Sequence, residues 1–147
     1  MTTTRRVVIA AFYNSNNELL LQERGEYSKH GEEWAFFGGG IEVGETYEEA
    51  FFREVKEELD LDMNDFDYKY VGVYYSFNID MDRHVYRYIY AIKTDLLECE
   101  YTVFEGVGCK YFTFEESKKL NFTSDPTKFI DFLSENINNI GKKYEKI

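Results

Sequence analysis

The sequence predicts an α/β fold in which a mixed β-sheet is covered by helices. Three observations carry that expectation. The segment Tyr47–Leu59 has helical spacing, with Phe51, Phe52, Val55 and Leu59 inside an arc of roughly 100°. Runs rich in Val, Ile, Tyr and Phe lie on both sides of it, at residues 5–13 and 68–93. A second helical pattern, from about Pro126 to Asn139, follows the last of the strand-like runs.

The elements follow in order. Arg5–Tyr13 reads as a first strand, "NSNN" as a turn, and Glu18–Arg24 as the second arm of a hairpin. After the polar loop "GEYSKHGEE", the short aromatic run Trp34–Phe37 reads as a strand that ends at Gly38, Gly39 and Gly40. Thr46 with Glu49 three residues on is a capping-box signature, and neither proline nor glycine interrupts the chain before Leu59. Tyr68–Phe77 and Arg83–Lys93 read as a long antiparallel pair joined through "NIDMD". Tyr101–Phe104 and Cys109–Phe112 are shorter strand candidates separated by "EGVG". Pro126 suits the first turn of the last helix, and the tail "GKKYEKI" is expected to fray.

The 147 residues fit one domain, residues 1–147, and 44% hydrophobic content with a single proline marks a folded chain. The 28 acidic and 17 basic residues leave a net charge of −11, which argues against a nucleic acid polymer or an anionic membrane as partner. A small nucleotide stays compatible, because a bound divalent cation reverses the local field where phosphates sit. The apolar run Val7–Tyr13 is short for a signal segment and nothing reaches membrane-spanning length, so a cytoplasmic location is expected. Cys99 and Cys109 have no metal-type spacing and read as reduced thiols without chemistry.

Between Gly38 and Leu61 stand eight carboxylates and two basic residues, beside three consecutive glycines. So acidic a helix is costly unless something cationic sits against it. Glu54, Glu57 and Glu58 are spaced i, i+3 and i+4 and share one face, where their oxygens suit a hard cation such as Mg²⁺. Arg53 can reach Glu57 at i+4 and orient it. The glycines let backbone approach an ion or phosphate, and Gly40 is the expected carbonyl ligand. Glu45, where the loop enters the helix, is either a structural anchor or an outer metal contact.

Gly39, five residues, Glu45, seven residues and then "REVKEELDL" resemble the signature of the Nudix hydrolase family, G-x5-E-x7-R-E-U-x-E-E-x-G-U with U apolar. Gly39, Glu45, Arg53, Glu54, Val55, Glu57, Glu58 and Leu61 match, eight of nine fixed positions over 23 residues. Asp60 stands where the family has glycine; Asp tolerates the left-handed conformation expected there at about 1 kcal/mol, and no acidic position is lost. The resemblance implies an α/β/α sandwich, with the catalytic helix on one face of the sheet and the C-terminal helix on the other.

It further implies Mg²⁺- or Mn²⁺-dependent cleavage of a pyrophosphate bond in a nucleoside diphosphate linked to a variable group, with water attacking phosphorus. Glu57 and Glu58 are then principal metal ligands and Glu54 a ligand or general base. The catalytic set is Glu54, Glu57 and Arg53. "LLLQER" and "WAFFGGG" are similar to nucleotide-hydrolysing members, in which Arg24 would meet a phosphate; an exposed strand-end charge is the plain alternative. Glu105, six residues before Tyr111 in "FEGVGCKYFTFEE", is either a further metal ligand or base, or an ordinary loop acid.

Phe36, Tyr75 and Phe77 are candidates to stack on a base or to pack in the core. Asn121 would hydrogen-bond a purine or serve as a turn residue. The only proline, Pro126, is misplaced for the ADP-ribose branch, and Tyr74 and Tyr75 are out of register for the dinucleoside polyphosphate branch. The Trp34 segment and the Arg24 position, similar to those of nucleotide-hydrolysing members, favour a nucleoside triphosphate, normal or damaged, as the substrate. The alternatives are a dinucleoside polyphosphate, a nucleotide sugar, or a sensing module that does not cleave. Aromatics exposed on the hairpin 68–93 would allow a homodimer. Asp80 and Asp82 lack the glycine and glutamate of a calcium loop, and Gly106 with Gly108 is too little for a dinucleotide motif.

Overall fold

The computed structural model describes residues 1–145, with side chains described to Ile137. Strand β1 (Thr3–Tyr13) is central. It turns through Asn14–Asn17 into β2 (Glu18–Glu23), and on its other side it pairs in parallel with β6 (Arg83–Lys93). Strand β5 (Asp67–Asn78) pairs antiparallel with β6 and forms one edge of the sheet. On the β2 side lie β3 (Trp34–Ala35), β4 (Phe37–Gly40), which pairs with β1, and β7 (Gly108–Thr113), which pairs with β2.

Two elements differ from expectation. The aromatic run 34–37 does not stop at the glycines: it breaks at Phe36 and the glycines themselves form β4, in register Ile9↔Gly38, Val8↔Gly39 and Val7↔Gly40. Residues 101–104 form no strand. Tyr101 is instead buried in the core, its hydroxyl donating to Thr94 Oγ1 (3.1 Å) and lying 3.0 Å from the Tyr111 hydroxyl, so its aromatic character serves packing rather than pairing.

Helix α1 (Tyr47–Leu59) begins as its sequence dictates. Thr46 Oγ1 accepts from Glu49 N–H at 3.1 Å, and Glu49 Oε1 accepts from Thr46 N–H at 3.0 Å. Thr46→Ala is expected to lower stability by about 1 kcal/mol, read as a shifted urea midpoint with unchanged slope. Asp60 ends the helix in the left-handed conformation (φ 55°) that the missing glycine would have taken, its N–H donating to the Lys56 carbonyl at 3.0 Å.

Alternation along β1 splits the core. Val8, Ala10 and Phe12 face Phe51, Val55 and Leu59 of α1, while Ile9, Ala11 and Tyr13 face Leu133 and Ile137. The latter pair belongs to α3 (Thr127–Glu145), which follows the short α2 (Phe114–Ser117). The Phe51 ring lies parallel to that of Tyr90 with centroids 4.1 Å apart. The two helices thus cover opposite faces of a mixed sheet, an α/β/α sandwich. Helix α3 runs to Glu145, beyond the expected Asn139; of the tail expected to fray, Lys146 and Ile147 lie outside the described residues. Among the described residues no helix is long and apolar enough to cross a membrane.

Candidate active site

Strand β4 approaches β1 so closely that the site is shaped by what its glycines lack. A Cβ on Gly38 would stand 2.0 Å from the Val8 carbonyl oxygen, and one on Gly39 would stand 2.6 Å from the Glu54 carboxylate. Helix α1 therefore lays two acids against bare backbone. The Gly38 N–H donates to Glu58 Oε1 (3.0 Å), and Glu54 covers Gly39. Glu57, one turn beyond Arg53, stays 57% exposed.

Arg53 holds the arrangement from the solvent side. Its Nε and Nη2 grip both oxygens of Glu45 (2.7 and 2.8 Å), Nη1 meets Glu54 Oε1 (2.9 Å), and Nη2 donates to the Gly40 carbonyl (2.9 Å). Its contact with Glu57 is the longest of these, 3.4 Å. The i+4 partner expected from spacing is secondary, because Glu45 offers a two-pronged match to the guanidinium fork. Glu45 is thereby an anchor, and its hydrogen bonds with Arg53 hold its carboxyl down at about 2. That contribution to stability is complete above the ordinary carboxylate range and is lost as pH falls towards about 2.

Glu58 is the opposite case. It is only 2% exposed, and burial pushes its carboxyl up to about 9; the Gly38 N–H works against the shift, while Glu54 and Glu105 add to it. Glu105 arrives through two backbone ties. The Phe104 N–H donates to the Glu58 carbonyl at 3.0 Å, and the amide of buried Gln22 donates to the carbonyl of Glu105 itself. Gln22 Oε1 accepts from Arg24 Nη1 (2.7 Å), so one inward-facing polar residue of β2 links Arg24 to the Glu105 loop. The polar residue inside the otherwise apolar "LLLQ" was the available signal for it.

The glutamates open on a cavity of about 620 Å³ lined by Gly38, Gly39, Glu54, Glu57, Glu58 and Glu105 at one side. Arg24 and Phe36 also line it; Phe36 packs on Phe122 (5.7 Å) and Phe129 (5.2 Å). Asn121 does not line it. Its amide donates to the Gly31 carbonyl (3.0 Å) and its own carbonyl accepts from Glu33 and Trp34, which makes it a strut under the 25–33 loop. Gly40 is likewise outside the lining, with its carbonyl turned to Arg53. Tyr75 and Phe77 stand on the sheet face away from the cavity, 48% and 42% exposed, because only the alternate residues Tyr74, Ser76 and Asn78 of β5 face it.

A family profile for the NUDIX domain matches residues 3–133. The chain belongs to the Nudix family of hydrolases. Over 55 residues it is 40% identical to a nucleoside triphosphatase NudI from Enterobacter sp. (strain 638), covering 37% of this chain and 39% of that protein. The chain therefore matches well under half the length of this relative. Its fold superposes with a TM-score of 0.71 on a MutT protein from Methanosarcina mazei Go1, at 20% identity over 94% of this chain and 96% of that one. The E. coli dihydroneopterin triphosphate pyrophosphohydrolase gives the same score at 16% identity, over 94% and 99%.

Nudix hydrolases generally use divalent metal ions. Among the described residues no three acidic, imidazole or thiol side chains converge into a ready-made cage. The donor set nevertheless fits such an ion: Glu54 and Glu105 lie close enough to Glu58 to help raise its carboxyl, and the guanidinium of Arg53 is shared between Glu45 and Glu54.

Stability should report that ion. Folded Glu58 keeps its proton to about 9 whereas the unfolded chain gives it up near the usual 4.5, so Glu58 erodes stability as pH rises through that window. The wild type is expected to lose Tm relative to Glu58→Gln between those limits without added metal, and Mg²⁺ is expected to raise the wild-type Tm most at the alkaline end. Thermal melts of both proteins across the window, with and without Mg²⁺, measure this; a pH-independent difference without metal would mean that burial does not raise the Glu58 carboxyl, and equal Mg²⁺ shifts in the two proteins would remove Glu58 from the donor set.

Proposed function

We propose that this Nudix hydrolase cleaves a nucleoside triphosphate to monophosphate and pyrophosphate with Mg²⁺ or Mn²⁺. The observation that carries the reading is the crowding of Glu54, Glu58 and Glu105 at the mouth of a cavity that also holds Arg24 and an aromatic cluster. Glu54, Glu57, Glu58 and Glu105 hold the cation, which when bound neutralises phosphate charge and acidifies water. Glu57 is exposed and only loosely held by Arg53 at 3.4 Å, so one of its oxygens would meet the cation while the other accepts a proton from the attacking water. Arg53 does not touch substrate; it positions Glu54 and the glycine strand. Arg24, braced by Gln22 and by the Tyr27 carbonyl (2.8 Å), orients a phosphate, and Phe36 with Phe122 offers a surface for a base.

The similarity to a nucleoside triphosphatase supports this substrate class. A panel of normal and oxidised nucleoside triphosphates, dinucleoside polyphosphates and nucleotide sugars, with products identified by mass, tests it. Monophosphate plus pyrophosphate from one triphosphate is the expected result, and cleavage of only another class would replace the substrate. A homodimer through the free edge of β5 is a further reading, supported by exposed Val73, Tyr75 and Phe77. Sedimentation showing only monomer at high concentration would remove it.

A further inference from the structure

The wall of the cavity remote from the glutamates is basic, in a chain whose net charge is −11. Arg5 on β1 lies between Arg83 and Arg87 on β6: the parallel register sets Thr3↔Arg83, Arg5↔Val85 and Val7↔Arg87, so all three arginines rise from one face. Ser76 and Asn78 of β5 stand on the same face, opposite Val85 and Arg83, and all five residues line the cavity.

Acid is abundant elsewhere. Arg24, Arg53, Lys56 and Lys118 each have a carboxylate partner, yet among the described residues none stands at ion-pairing distance from Arg5, Arg83 or Arg87. Arg87 is partly buried, and its charge is disfavoured first by burial and then by Arg5 beside it, with only Tyr74 working the other way. A partly buried guanidinium beside a second one, with no carboxylate at ion-pairing distance, is a cost at Arg87 that a bound anion would offset.

The position of these arginines separates them from the phosphates beside the glutamates. Strand β4 lies on one side of β1 and β6 on the other, so two strand spacings, about 10 Å, part the glycines from Arg87. Arg87 leans further away, because its Nη1 donates to Ser76 Oγ (2.8 Å) on the next strand out. Between the two ends sit Phe36, Phe122 and Phe129, and the Arg87 guanidinium lies 5.9 Å from the Phe129 ring. The cavity wall thus carries its glutamates, with Arg24, beside β4 and the three further arginines on β1 and β6.

We infer that Arg5, Arg83 and Arg87 form a subsite for a second anionic group, a phosphate monoester or a carboxylate, carried by the substrate on its base or sugar away from the scissile anhydride. The inference rests on the cavity being the nucleotide site. It narrows the substrate to nucleotides that are anionic at both ends.

Two matched pairs test it: dCTP against 5-carboxy-dCTP, which differ by a carboxylate on the base, and NAD⁺ against NADP⁺, which differ by a phosphate on a ribose. Kd by calorimetry and kcat/KM are measured for each. The charged member of one pair is expected to bind at least about tenfold more tightly, the scale of one charge-assisted hydrogen bond, and the pair that responds identifies the anion. That preference should vanish in the double variant Arg5→Met, Arg87→Met and persist in part when both become Lys, with kcat on the member that lacks the extra anionic group unchanged. Equal binding within both pairs, or a preference that survives the Met substitutions, overturns the subsite even if hydrolysis proceeds. A preference in Kd without turnover of either pair keeps the subsite, which Kd reads by itself, and moves the scissile nucleotide to another member of the substrate panel.

Discussion

Glu57→Gln is expected to lower kcat/KM by roughly a thousandfold, about 4 kcal/mol of transition-state stabilisation, while leaving the fold untouched. The side chain is 57% exposed, it is held by Arg53 at 3.4 Å, and removing its charge relieves a crowded acidic face. Amide and carboxylate have nearly the same shape, so packing does not change. The melting temperature without metal should stay within about a degree of wild type or rise slightly, because surface changes of this kind are worth less than about 0.5 kcal/mol. The rise in Tm produced by Mg²⁺ should shrink. Full turnover in this variant would remove Glu57 from the chemistry and leave Glu54 or Glu105 as the acid to test.

Gly38→Ala is expected to be the most destabilising single methyl that can be added at this site. The new Cβ would meet the Val8 carbonyl oxygen at 2.0 Å, the Val8 carbonyl carbon at 2.9 Å and Ile9 Cα at 3.1 Å, all of them backbone atoms that cannot swing aside. The residue also sits at φ 136°, where side-chain-bearing residues are strained. Relief requires β4 to leave β1, which in turn strips the N–H from Glu58 and leaves a buried acid without its donor. A loss of about 4 kcal/mol or more follows, a large part of the total for a domain of this size. Gly40→Ala is the control: nothing lies within 4 Å of its Cβ and its backbone is unstrained, so urea titration should place it within about 1 kcal/mol of wild type. Similar midpoints for the two variants would mean that the close approach of β4 to β1 is not what holds the site.

These two residues mark what the sequence disclosed and what it did not. Glu57 was legible because i, i+3 and i+4 spacing on a capped helix is a local matter, and helix α1 has the expected limits. The hairpin of β5 and β6 was legible for the same reason, being adjacent runs joined by a turn. Gly38 was not, since its demand comes from Val8, thirty positions away along the chain, and nothing in "GGG" says which glycine is crowded. Gly40, the expected carbonyl ligand, has its carbonyl engaged by Arg53. Arg5 and Arg87 passed unnoticed because only the β1–β6 register makes them neighbours. Tyr101–Phe104 has strand composition, but the core claimed its tyrosine.

The parallel match of Thr3 with Arg83, partners 80 residues apart, also has a consequence for biosynthesis. The first strand to leave the ribosome is the centre of the sheet, and its long neighbour on one side is not made until much of the chain has followed. At roughly 5–20 residues per second that interval is about 4–16 s, during which β2, β4 and α1 can cover Val8 and Phe12 but the β6 edge of β1 stays unpaired. A nascent chain stalled before β6 should therefore be trapped by a hydrophobic-binding chaperone and cut readily by protease, one stalled just after β6 should resist both in part, and full escape should wait until α3 has cleared the exit tunnel and covered Ala11, Leu19 and Ile89.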